Sequence, residues 1–452
     1  MTLLVIGLTI FCLVLYALTP YKGWLAIWLF KPVIDVGWSS EFSISGLRMT
    51  ELIGAGLPAV VIGRMLLLRS DRPPQYIMSK TWSVYLFSAL LGALMMIAQG
   101  DLVPAASYSA RVLNGVLAFY SMQVWFRDPQ KFKMLLIIMI IAGIFPMVQG
   151  MMEIMSGTTW RGRGGYGGQE RISGVYHNST NLRYYACITV TAIALYWVYF
   201  AKRGTLLKIL FLGIIAVCAV IMFKVYSKAG FAQVAVAGLA WMYFSRKFAL
   251  PAAMIIAVLI ANVALDNVVF YELDRTFGTE FEVIQGERDE DRLMGGRVRL
   301  WKEQVAIWKE SSILNRLIGG SSGGRGAKGG GHSDWIRSLR QNGFIGTLIY
   351  AWFLIVFGFV IMRKVFKQRT ALNIVAAVLY WSWIIESIGL TPAVYTNFQW
   401  YVWGFIGLAL AGIPGLEKTR IETARQRNAA RQSSRKNTER QPAATSRESI
   451  KL

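Results

Sequence analysis

The chain has 452 residues, 55% of them hydrophobic and 16% charged, with a formal net charge of +23. That balance excludes an ordinary water-soluble domain. The apolar runs are continuous rather than alternating, which excludes a β-barrel, and three cysteines and two histidines leave no CxxC, disulfide framework or protein-built transition-metal site.

The expected fold class is all-α, a polytopic integral membrane protein. Runs of about 20 apolar residues, the length a helix needs to cross the hydrocarbon core, recur along the chain. "MTLLVIGLTIFCLVLYAL" lacks a basic n-region and a small-residue cleavage site, so it reads as a first span rather than a signal peptide. Spans are predicted at 2–19, 21–36, 48–68, 80–98, 106–126, 132–153, 182–200, 205–223, 228–245, 248–266, 336–362, 371–390 and 396–414. The second is short and follows the first after only "TPYKG", so the count is 12 or 13. The bundle occupies 1–415. The tail 416–452, rich in Arg, Gln, Ser, Asn and Ala, reads as disordered and cytoplasmic, its basic residues within reach of anionic lipid.

Short loops at 69–80, 127–133, 201–208, 245–247 and 362–369 are basic and alternate as cytoplasmic loops should. That parity places 154–181 and 267–335 outside. Both segments are themselves basic, with Arg161, Arg163 and Arg171 in the first and Arg292, Arg297, Arg299, Arg325 and Lys328 in the second. Both histidines, His177 and His332, fall there too. An anion site at the outer face accounts for this. So does the freedom of long translocated loops from the charge rule, and the sequence leaves both open.

Within 267–335, "RVRLWKEQVAIWKE" puts Trp301, Val305 and Trp308 on one helical stripe. The helix either lies at the membrane interface or packs on the ends of the spans. It carries Arg297 and Arg299 at its N-terminus, where free N–H groups also suit an anion. "GGRGAKGG" fails as a phosphate loop: Lys328 precedes Gly rather than Ser or Thr, and no strand leads into it. It reads as a hinge or a plain connector. His332 follows, with Ser333 or Asp334 available to cap the next helix. Ser179 or Asn181 is the expected cap at 182–200. Lys228 stands at the entry of another span. Arg111 and Glu386 lie in or near apolar runs, where charges are either functional or paired. "GERDEDR" (286–292) reads as a solvated loop.

Four motifs, "RISGVYHNSTN" (171–181), "YSKAG" (226–230), "GRVRLWKEQVAIW" (296–308) and "HSDWIRSLRQNGFIG" (332–346), occur in an order that resembles the O-antigen ligase and polymerase family of bacterial envelope glycan assembly. The sequence departs from that pattern at Lys228, where Arg is usual, at Ser333, where Asn is commoner, and in lacking a proline before the Asn of the first motif. The resemblance implies transfer of an undecaprenyl-diphosphate-linked glycan to an acceptor hydroxyl, on lipid A–core or another acceptor, at the outer face of the bacterial inner membrane. It implies His332 as general base and Arg171, Lys228 and Arg297 as diphosphate ligands, with Arg299, Asn181 and Arg111 as secondary candidates. The partners implied are donor, glycan or lipid acceptor and membrane lipid, with no nucleic acid, metal or cofactor. A polymerase joining repeat units is the alternative within the class, and a lipid-linked sugar transporter is the alternative outside it.

Overall fold

The computed structural model describes residues 2–39, 43–44, 47–73, 75–160, 171–201, 204–246, 248, 266–320, 332–418 and 421, with single positions between 252 and 263. It is all-α, the one exception among the described residues being the pairing of Ser43–Ile44 with Leu47–Arg48. The helices are α1 (Thr2–Leu18), α2 (Pro20–Ile34), α3 (Met49–Leu67), α4 (Ser79–Ala98), α5 (Leu102–Trp125), α6 (Pro129–Ser156), α7 (Ser179–Tyr199), α8 (Thr205–Lys224), α9 (Lys228–Ser245), α10 (Val268–Ile284), α11 (Leu293–Glu310), α12 (Ile313–Ile318), α13 (Asp334–Gln341), α14 (Gly343–Lys367), α15 (Ala371–Gly389) and α16 (Thr396–Ala411).

Five of these, α4, α6, α8, α14 and α15, are long and apolar enough to cross a membrane. Apolar side chains face outward along them, as Leu206, Ile209, Leu210 and Leu212 do on α8, which marks a membrane-embedded protein. A helix stands at every predicted span except 248–266, which falls mostly outside the described residues, as do Arg161, Arg163, Arg325, Lys328, the glycine stretch and most of the tail.

One expectation is corrected. The single span predicted at 336–362 is broken at Asn342–Gly343 into a polar α13 and an apolar α14. Gly343 takes φ +67, open to glycine without steric penalty. Asn342 is held at the break by the Tyr108 hydroxyl, which donates to its side chain. Within 267–335 lie α10, α11 and α12, and α11 covers the helix expected at 297–310.

Helix α16 is central. Its glycines let it approach α5 closely: a Cβ on Gly407 would collide with the Phe119 carbonyl, and one on Gly404 would press on Met122. Around this contact Trp82, Phe353, Phe357 and Trp403 pack edge to face at 4.7–5.4 Å between ring centroids. Two buried ion pairs lie at the end of the bundle where α7 begins and α15 ends. Arg183 pairs with Glu386 at 2.7 Å, both fully buried, and the Tyr184 hydroxyl donates to the same carboxylate at 2.9 Å. Lys31 pairs with Asp35, which accepts from the Tyr185 hydroxyl. In apolar surroundings each charge needs such a partner.

Candidate functional site

That charged end is where the four motif segments meet. The first is anchored by Glu153, in the last turn of α6 and only 2% exposed. Its carboxylate accepts the backbone N–H groups of Trp160 (2.9 Å), Ser173 (2.8 Å) and Gly174 (2.5 Å). Three donors on one buried anion fix the stretch just after Arg171. The chain then enters α7, whose cap is Asn178, accepting from the Asn181 N–H at 3.2 Å while its own amide donates to the Tyr395 hydroxyl at 3.1 Å. The cap is thus neither Ser179 nor Asn181. Asn181 is buried in the first turn and supplies the N–H that is capped.

Lys228 opens α9 after Ser227, whose hydroxyl oxygen accepts the Gly230 N–H at 3.3 Å. Its ammonium pairs with Glu280 of α10. The other Glu280 oxygen accepts the Met294 N–H at 3.1 Å, so one carboxylate ties α9 to the start of α11. Lys228 lies within electrostatic reach of both Arg171 and Arg297.

Arg297 is delivered by a left-handed turn. Met294, Gly295 and Gly296 take φ of 52, 70 and 79, and regular helix follows them. The guanidinium crosses the end of α15 at Gly389, where a Cβ would sit 2.9 Å from Nη1. The stripe of Trp301, Val305 and Trp308 is partly buried, and between its members Gln304 accepts from Arg340 of α13, so this helix packs on the protein. Arg299, a secondary candidate, is turned away: its side chain is 67% exposed and reaches only Glu303, at 3.7 Å.

His332 sits at φ +41 just before α13. Ser333 does not cap that helix. Its hydroxyl donates to the Ser387 carbonyl at 3.1 Å, the Trp335 indole donates to the Ser387 hydroxyl at 3.1 Å, and the Asp334 N–H donates to the Leu390 carbonyl at 3.1 Å. These bonds pin the histidine segment to the same end of α15 that Arg297 crosses. Partial desolvation, and then the charges of Arg297 and Arg337, lower the imidazole pKa from its ordinary 6.5. His332 is therefore neutral at neutral pH and able to accept a proton.

Arg171, Lys228, Arg297 and His332 thus converge from four separate segments, with Glu280 as the carboxylate bound to Lys228. Like charges held together repel, and a ligand carrying several negative charges would relieve that repulsion. Arg111 does not join this group; it lines a cavity with Asp334 and Arg337. In the acidic loop, Asp289 accepts the Asp291 N–H and Asp291 pairs with Lys302, leaving a surface hairpin of charges rather than a cation cage. Among the described residues no three His, Cys, Asp or Glu side chains group as metal ligands.

Sequence reasoning missed Glu153, Glu280, Asp334 and Arg337. Glu153 carries a legible signal, an acid closing an apolar run just before a glycine-rich loop. Glu280 carries none, because its role depends on where α10 folds back. The chain matches no known protein-family model, and no curated protein matches it.

Proposed function

We propose that the protein is a glycosyltransferase of the O-antigen ligase type, moving a glycan from an undecaprenyl diphosphate to an acceptor hydroxyl at the outer face of a bacterial cytoplasmic membrane. The observation that carries this reading is the cluster of Arg171, Lys228 and Arg297 beside a neutral His332. The acceptor oxygen attacks the anomeric carbon, and a C–O bond forms as the bond from that carbon to the diphosphate oxygen breaks. The electron pair leaves with the lipid diphosphate, and the hydroxyl proton passes to the His332 imidazole. Negative charge concentrates on the leaving group, where three cations stabilise it more in the transition state than in the ground state.

A transporter would place its ionisable groups at the middle of the bundle. Here the buried pairs Arg183–Glu386 and Lys31–Asp35 both lie near the end that holds the cluster, which favours chemistry at one face. The test is transfer by purified protein given a lipid-diphosphate glycan and an acceptor. A ladder of products would mark a polymerase and a single addition to a core acceptor a ligase. His332→Ala should lower the rate by roughly 10²–10⁴-fold while donor binding is kept. Transfer at near wild-type rate by that variant removes the general-base role, and absence of any transfer by the wild-type protein removes the enzyme.

A further inference from the structure

A cavity open to solvent at its mouth lies between α4, α5, α13, α14, α15 and α16. One wall is aromatic, formed by Trp82, Tyr350, Phe353 and Trp403. The polar part holds four side chains with a buried atom that has no hydrogen-bond partner among the described residues: Asp334 Oδ1, Arg337 Nη1, Gln341 Oε1 and Gln399 Oε1. Asp334 is 6% exposed and Gln399 3%. The Gln399 amide is oriented by its own Nε2, which donates to the Arg111 carbonyl at 2.9 Å, so its oxygen is the atom left for the cavity.

Buried polar atoms need partners, and four unmet ones around one cavity describe what belongs there. Three of the four are acceptors, so the occupant must donate hydrogen bonds. A phosphate or carboxylate would meet Arg111 and Arg337 in the same lining, but it only accepts and so would leave the three acceptors unpaired. An alkyl or prenyl chain would leave all four atoms unpaired. An ammonium would meet Arg337. A ring bearing several hydroxyls both donates and accepts, and its C–H face suits an aromatic wall.

We infer that this cavity is a saccharide subsite, and that the ring it takes is the acceptor sugar whose hydroxyl is presented to His332. Asp334 and Arg337 join the two regions: Asp334 is two residues beyond His332, and Arg337 acts electrostatically on the imidazole. The word acceptor rests on the transferase reading; saccharide binding does not.

The full-length protein in lipid nanodiscs would be titrated with methyl glycosides of neutral hexoses and N-acetylhexosamines. Indole fluorescence and saturation-transfer NMR would be read together. Wild-type protein should bind at least one of these, and Gln399→Leu and the isosteric Asp334→Asn should each weaken it about tenfold or more. Arg299→Ala, whose side chain faces water away from the cavity, should bind the glycoside as the wild type does. No glycoside binding by the wild type overturns the inference, as does binding that neither cavity substitution weakens beyond twofold, since the cavity then holds only water. Glycoside binding by a protein that transfers nothing from a lipid-diphosphate donor supports the sugar site and overturns the transferase reading.

Discussion

Glu153 offers a severe test of how the cation cluster is assembled, because it touches no ligand on any reading. Its carboxylate holds three backbone N–H groups at 2.5–2.9 Å, two of them on the residues two and three positions after Arg171. A hydrogen bond to a charged group contributes about 1.5–3 kcal/mol. Trp160 is partly exposed, so its N–H regains water when the acid is removed. The two bonds at Ser173 and Gly174 remain, and their loss in Glu153→Ala amounts to roughly 3–6 kcal/mol of local anchoring. Where that loss exceeds the loop's holding margin by about 1.4–2.8 kcal/mol, Arg171 is in place only about 1–10% of the time, and apparent donor affinity falls by that fraction. The expected result is a loss of ~10–100-fold in affinity for undecaprenyl diphosphate, measured by calorimetry in detergent. Glu153→Gln, which keeps one acceptor oxygen, should fall between the two. Hydrogen exchange at Ser173 and Gly174 should rise in step. Unchanged exchange there, with donor affinity within twofold of wild type, refutes the claim that this carboxylate positions Arg171.

Three further outcomes follow from the geometry. The lowered His332 pKa puts the base form in excess above pH 6.5; transfer should be flat from about pH 7 to 8 and fall as pH drops through the histidine pKa, and a limb that instead rises toward acid contradicts the base role. Gly389→Ala places a Cβ 2.9 Å from Arg297 Nη1 and 3.1 Å from Met294 Cε. Both are side-chain ends that can shift, so donor KM should rise about 3–10-fold with an unchanged melting temperature. Arg183→Met should destabilise the bundle by about 3–5 kcal/mol by stranding Glu386, and Arg183→Met/Glu386→Leu should recover most of that loss in detergent unfolding, because the penalty lies in the unpaired charge.

The spans were legible because their signal is local. The run 134–148, for example, is apolar throughout, and its helix is entered by Asp128, which caps it from its own side chain. The break at Asn342–Gly343 was passed over, although the polar residues of 334–341 and the Asn-Gly pair were available hints; Tyr108, 234 positions earlier, supplies the partner that holds it. The cap of α7 was expected at Ser179 or Asn181, but Asn178, just before them, takes the place while bonding Tyr395, 217 positions later. Arg171, Lys228, Arg297 and His332 could each be picked out by type and setting, yet their convergence depends on α15 offering one end, at Ser387–Leu390, to two loops at once. Arg299, two residues from Arg297, looked equivalent in sequence and faces water, because two positions on a helix turn a side chain to a different side.

Glu280 bears on turnover as well as on architecture. A lipid diphosphate freed of its sugar carries more negative charge than the glycan ester that entered, so a purely cationic cradle would grip its product harder than its substrate. Glu280 already holds Lys228 and the Met294 N–H as an internal carboxylate competitor. On the proposed reading it sets a floor under every anion that visits the cluster, and each departing product is met by a tethered replacement that needs no diffusion to arrive.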